Sequence, residues 1–250
     1  MELQPASTVD KVLDILLLLS QERMQISINE IQSELNLTQS TAYRYTRILV
    51  DRGFLQKMDT GNYRLGATMI ALSRTALQAD RNIRITALPS MNRLSDETRE
   101  SVSLMRLANR RAVCIESIEG QYALRVSIEY GRTQHLHSGA SSKVLLAFSS
   151  ESQWDNLLDF PLTRFTESTL SERDALYAQL HEIRRDGYAV SDGEIDIGAR
   201  AVAVPIFNRH DQVIAALSIE APESRMDHSK VNHYITLLKR EAQVIFEILN

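Results

Sequence analysis

Residues 27–66 constrain this chain more than any other stretch, because they read as two short helices, a tight turn and a β-hairpin bearing outward-pointing arginines. Ser27 and Glu30 form a Ser-x-x-Glu capping box, opening a helix that carries Ile28, Ile31 and Leu35 at helical spacing. Asn36 suits the left-handed residue that closes it. Thr38 is placed to cap a second helix running to about Asp51, with Ala42, Tyr45, Ile48 and Leu49 on one buried face and Gly53 as its stop. The opposite face presents Gln39, Ser40, Tyr43, Arg44 and Arg47, which are able to meet base edges and phosphates. Residues 54–58 and 62–65 alternate as strands around Asp59-Thr60-Gly61, giving a wing on which Lys57 and Arg64 would flank a DNA backbone. The alternative is an ordinary helical hairpin with solvated charges.

Charge favours the nucleic-acid reading. Residues 38–84 hold eight basic side chains against three acidic ones, about +5 inside a chain of formal charge −4. At 250 residues and 44% hydrophobic content, the chain can build one small and one medium domain, each with a core. The single cysteine, Cys114, excludes an internal disulfide and a multi-cysteine zinc site, in keeping with a reducing cytoplasm. The apolar run 12–19 is too short to span a bilayer, and residues 1–10 lack the basic flank of a signal peptide, so no membrane partner is expected. A first helix over 8–20 is read as scaffold behind the DNA module.

Residues 67–79 lack proline and glycine and place Met69, Leu72, Ala76 and Leu77 on one side, which predicts a connecting helix that also dimerises. Beyond it the spacing predicts a helix through Leu94, strands at 102–107, 112–119 and 122–128, and a helix from Ser141. A further helix over 172–185 follows, with Ser171 and Asp174 at its start and Gly187 at its stop. Strands at 201–207 and 213–220 flank the turn 208–211, and a terminal helix carries Val231, Ile235, Leu238, Ile245 and Leu249. The expected fold class is α+β, with three parts: a winged helix-turn-helix over 1–66, a linker helix over 67–79 and a sensor-like domain over 80–250.

Four ordered motifs then carry a family resemblance. They are the wing end Gly61-Asn62-Tyr63-Arg64-Leu65-Gly66, the run Leu136-His137-Ser138-Gly139-Ala140-Ser141-Ser142-Lys143, the tetrapeptide Gly187-Tyr188-Ala189-Val190, and the run from Gly198 to Phe207 followed by Ala215-Ala216-Leu217-Ser218. In these the whole chain resembles the IclR family of bacterial transcriptional regulators. The resemblance implies a GAF-like effector domain that binds a small organic molecule, often a carboxylic acid, and alters binding of double-stranded operator DNA by a homodimer or homotetramer. It places effector contacts at Ala140, Ser141, Ser191, Asp192, Ala199, Ala201, Ser218 and Glu220. Independently, the amides opening the helix at Ala140, Ser141 and Ser142 would make an anion cradle.

Two positions depart from the family pattern: alanine at 201 where cysteine is common, and Glu220 where a small residue is common. If Glu220 faces the pocket it repels an anion unless it bonds a hydroxyl, pairs with a cation or is protonated, and the reading from sequence is a ligand with hydroxyl or amino groups beside any carboxylate. The other option is Glu220 in solvent at the strand end.

Other constellations are weaker. His135-x-His137 supplies two imidazoles where a metal site needs three or four ligands, and His181, His210, His228 and His233 read as surface residues. Cys114 with Glu116 lacks anything to activate a thiolate, and Trp154 with Leu157 and Leu158 reads as core. No metal and no cofactor are expected. The function expected is a ligand-responsive repressor of a metabolic operon, with RNA polymerase as a further contact. A metabolite-processing enzyme lacks a paired acid and base, and a constitutive DNA-organising protein would show little sequence preference.

Overall fold

The computed structural model describes residues 7–20 and 23–249, and these fall into two compact units that divide between Ala79 and Asp80.

In the first unit, helix α1 (Thr8–Leu17) opens with a capping box between Ser7 and Asp10 and ends sooner than the predicted Ser20. Helix α2 (Ile28–Leu35) has the expected Ser27–Glu30 box and closes on Asn36 at φ 49°. Helix α3 (Gln39–Asp51) starts at Thr38, whose hydroxyl accepts from the Thr41 amide. Its buried residues are Ala42, Tyr45, Thr46 and Leu49, an i, i+3, i+4, i+7 stripe. Ile48 falls off that stripe and is 47% exposed, which corrects the predicted core assignment. Thr46 takes its place because its hydroxyl is satisfied by donating to the Ala42 carbonyl at 2.9 Å.

Strands β1 (Leu55–Lys57) and β2 (Tyr63–Leu65) form the hairpin, and an isolated bridge joins Tyr63 to Ile26. The chain crosses itself at the hairpin base: a Cβ on Gly66 would lie 2.2 Å from the Gly53 carbonyl oxygen, so only glycine fits there. Ile15, Ile26, Ile31, Ala42, Tyr45, Leu49, Leu55 and Tyr63 fill the core. Helix α4 (Ala67–Ala79) follows, with Ile70 and Leu72 exposed and Met69 partly buried. The predicted face positions Ala76 and Leu77 lie outside the described side chains.

In the second unit, strands β3 (Ser101–Ala108), β4 (Arg111–Ile118), β5 (Thr133–His135), β6 (Ala189–Asp192), β7 (Ala199–Phe207) and β8 (Val213–Pro222) form one antiparallel sheet in the order β5-β4-β3-β8-β7-β6. Helices α5 (Arg81–Thr98) and α9 (His228–Leu249) cover one face, packing on Leu104, Val202, Val204, Leu217 and Ile219. Helices α6 (Ala140–Phe148) and α8 (Arg173–Asp186), with the short α7 (Trp154–Leu157), cover the other, packing on Met105, Cys114, Ala203 and Ala216. Alternation along β8 therefore sends Leu217 and Ile219 to the α9 side and Ser218 and Glu220 to the α6 side. The unit is α+β, as expected.

Three expectations are corrected. Residues 122–128 form no strand: Tyr122 is held instead by the guanidinium groups of Arg99 and Arg225, 4.9 and 4.2 Å from its ring centroid, while 133–135 take the sheet edge beside β4. Ser171 does not cap α8, whose N-cap is Glu172 without a side-chain bond, although Gly187 closes it at φ 75°. Strand β6 was missed, being four residues long and directly after that cap.

Candidate functional site

In the first unit, Ser40, Tyr43, Arg44 and Arg47 recur at i, i+3, i+4, i+7 along α3 and are all exposed, opposite the buried stripe. Gln39 is exposed beside them, and Thr38 holds the first turn through hydroxyl contacts to Ser40 at 3.3 Å and Thr41 at 2.8 Å. The Arg47 side chain is 84% exposed, with only a long 3.8 Å approach to Asp51, so it is free to exchange that partner for a phosphate. On the hairpin the register pairs Lys57 with Tyr63 and Gln56 with Arg64, which places Lys57 and Arg64 on opposite faces of the ribbon. Arg64 donates two bonds to the Gln56 side-chain carbonyl, at 3.1 and 2.9 Å.

In the second unit a cleft enclosing about 600 Å³, its open mouth included, lies between the start of α6, strands β6 to β8 and two irregular segments. Of the residues expected there, Ala140, Ser141, Ser191, Ala199, Ala201 and Glu220 line it. Asp192 turns outward and forms a bidentate pair with Arg200, at 3.1 and 2.6 Å. Ser218 sits behind the wall, accepting from the Ser141 hydroxyl at 2.8 Å and meeting the Ser103 hydroxyl at 2.8 Å. The sequence reading missed Val126, Ser127, Ile128, Arg132, Gln134, Gly139, Ile195, Asp196 and Arg200. These come mainly from the irregular segments, where no periodicity marks a facing side.

Helix α6 opens at Gly139, whose φ of 85° places the backbone where an added Cβ would lie 2.9 Å from Ile195. The Gly139 amide donates to Glu194 Oε2 at 3.0 Å, so a protein carboxylate already occupies part of the anticipated cradle. That carboxylate is matched by the buried Lys143 ammonium, which also donates to Gln179 Oε1 at 2.9 Å and the Val190 carbonyl at 3.3 Å. Burial pulls the Lys143 pKa down and the adjacent Glu194 charge opposes that. The amides of Ala140 and Ser141 have no acceptor among the described residues, and they remain available for an anion.

Glu220 is only 2% exposed, so it is buried at the cleft wall rather than projecting into solvent at the strand end. Its Oε1 accepts from the hydroxyls of Ser103, at 2.7 Å, and Ser218, while Oε2 is buried without a partner. Burial pushes its carboxyl up to about 7, against the opposing effect of the two seryl bonds.

The remaining candidates are structural. His137 is buried, its Nε2 is 2.8 Å from the Thr163 carbonyl and its ring stacks on Phe165, with His135 5.5 Å away. No group of three metal-ligating side chains occurs among the described residues. Cys114 is buried, and burial pushes its thiol up to about 12, far from a reactive thiolate. Trp154 is fully buried. No described helix is long and apolar enough to cross a membrane.

A winged helix-turn-helix followed by a cleft-bearing α+β domain defines a regulator of the one-component type, with reader and sensor in one chain. Residues 8–59 match the IclR helix-turn-helix domain, and residues 75–246 match the bacterial transcriptional regulator IclR C-terminal domain. The chain belongs to the IclR family of bacterial transcriptional regulators. It is 33% identical to the HTH-type transcriptional regulator XynR of Escherichia coli K12 over 91% of this chain and 90% of that protein. It is also 33% identical to the HTH-type transcriptional regulator KdgR of the same organism, over 96% and 91%. Among solved structures, an IclR homologue from Microbacterium hydrocarbonoxydans complexed with 4-hydroxybenzoate superposes with a TM-score of 0.78 at 27% identity, covering 97% of this chain and 99% of that one. The relatives bear the names of regulators rather than enzymes.

Proposed function

We propose that the chain is an effector-responsive repressor that binds a roughly palindromic operator as a dimer or dimer of dimers in the cytoplasm, where bacterial DNA lies. In this reading residues 1–66 read DNA, 67–79 link and dimerise, and 80–250 bind the effector. The observation that carries it is the cleft at the start of α6, in which two unpaired amides, a line of seryl hydroxyls and a buried carboxyl converge. Such a set suits a small organic acid that also bears hydroxyl groups. The related structure holding 4-hydroxybenzoate, a hydroxylated acid, supports that class.

Gln39, Ser40, Tyr43 and Arg44 are the proposed base readers, with Thr38, Arg47, Lys57 and Arg64 on phosphates. Because Lys57 and Arg64 project from opposite faces of the hairpin, they would meet different stretches of backbone. Dimer formation is supported by apolar side chains that one copy leaves exposed, Val9, Leu13 and Leu17 on α1 and Ile70 and Leu72 on α4. Repression follows if the bound dimer obstructs RNA polymerase and the effector weakens its hold. Genomic fragments captured by the protein identify the operator, and a thermal-shift screen of small acids identifies the effector. Capture without sequence preference, or turnover of a screened acid, would overturn the reading.

A further inference from the structure

The unpartnered Oε2 of Glu220 is the least explained polar atom of the cleft. A buried carboxyl oxygen without a hydrogen bond is costly, and native structures pair nearly all such atoms with protein, water, an ion or a ligand. Its sister oxygen receives two hydroxyl protons: Ser103 donates directly, and Ser218 donates while accepting from Ser141. Two donors on Oε1 fix it as the acceptor oxygen. A proton carried by this carboxyl therefore resides on Oε2.

We propose that Glu220 is a hydrogen-bond donor to the effector, holding its proton on Oε2 and selecting a ligand that presents an oxygen acceptor there, a carboxylate or carbonyl, in preference to an ammonium group. This rests on the cleft being the effector site, and it decides between the options that the residue type alone leaves open. The nearby cleft features agree. Ala140 and Ser141 present unpaired amides, Arg132 brings a cation to the rim, and Ala201, the cross-strand neighbour of Glu220, leaves space beside it.

The groups that bear on its protonation are few. Strand β4 contributes the neutral thiol of Cys114, β7 contributes Arg200, already paired with Asp192, and the irregular segments contribute Arg132 and Asp196. Strand β3 and helix α6 bring only seryl hydroxyls to it, Lys143 being engaged by Glu194. With no cation bound to it, the carboxyl is pushed up to about 7 by burial, so it holds a proton through the mildly acidic range. Above that range, binding an anion takes one proton from solvent onto Oε2.

Two measurements test this on the full chain. In the absence of ligand, the infrared difference between wild type and Glu220→Gln at about pH 6 should contain a protonated-carboxyl carbonyl band, lost at about pH 8.5. A carboxylate signature for Glu220 at the lower pH would overturn the proposal. Calorimetry then uses 4-hydroxybenzoate and D-gluconate against their amine counterparts, tyramine and glucosamine. The acid's Kd should rise about tenfold per pH unit above 7 in wild type and stay flat in Glu220→Gln, whose amide keeps a donor. Preference for the amines, or at least tenfold loss of acid binding in Glu220→Gln at about pH 6, would contradict the donor role of Glu220. If neither acid binds at any pH, the effector reading for these acids fails, while the infrared result still decides the Glu220 proton.

Discussion

Ala201 and Glu220 lie directly opposite each other on adjacent antiparallel strands, and both line the cleft. A methyl group facing a buried carboxyl leaves space that a larger residue would fill. Ala201→Leu should therefore keep the fold, since this residue is only partly buried, yet block the cleft. The check is ligand-induced stabilisation: an acid at 100 times its wild-type Kd stabilises the wild type by about 2.7 kcal/mol and should leave the variant near zero.

Glu220 also sets a pH dependence of stability. Its folded-state value, about 7, lies above the ordinary 4.5, so the native state binds more protons than the unfolded chain between those values. Stability is thus lost as pH rises through that window, with the full cost present above about 7, on the order of 3 kcal/mol. Thermal melts of wild type and Glu220→Gln should diverge in favour of the variant from about pH 5 to pH 8. Parallel curves would show that folding does not raise the Glu220 carboxyl above its ordinary range.

Removing the Lys143 ammonium leaves the buried Glu194 carboxyl group without its cation and bonded only to the Gly139 amide on the α6 side. Lys143→Met should cost about 3–5 kcal/mol in denaturant unfolding, and Lys143→Met with Glu194→Gln should recover much of it. Additive losses in the double variant would contradict a coupled pair.

Arg44→Ala and Arg47→Ala should each weaken operator binding. Arg44, as base reader, should lose about 1–3 kcal/mol of discrimination between operator and unrelated DNA, while Arg47, as phosphate contact, mainly lowers the salt slope by about one. Fluorescence anisotropy over a salt series separates the two. Identical losses on every DNA would assign both to phosphates.

Local chemistry was readable in the sequence where one segment carries its own signal. The Ser27–Glu30 box, the Thr38 cap and the Gly187 stop all sit where spacing and turn chemistry put them. What failed depends on distant partners. Tyr122 alternates like a strand residue, but Arg99 and Arg225 claim it. Ile48 has the right chemistry for core, and the helix phase turns it outward. The burial of Glu220 depends on Ser103, 117 residues earlier, and Lys143 meets Glu194 across 51 residues, so neither pairing leaves a local trace. The family motifs located the α6 end of the cleft, whereas its outer wall comes from segments without repeat or pattern.

In the proposed function a ligand in the α6 cleft changes how the α3 arginines hold DNA. Operator affinity measured with and without saturating effector tests it most directly. A change of about 1–3 kcal/mol, several-fold to hundred-fold in Kd, is expected in wild type and none in Ala201→Leu. An operator affinity that stays the same in wild type at saturating ligand would contradict it.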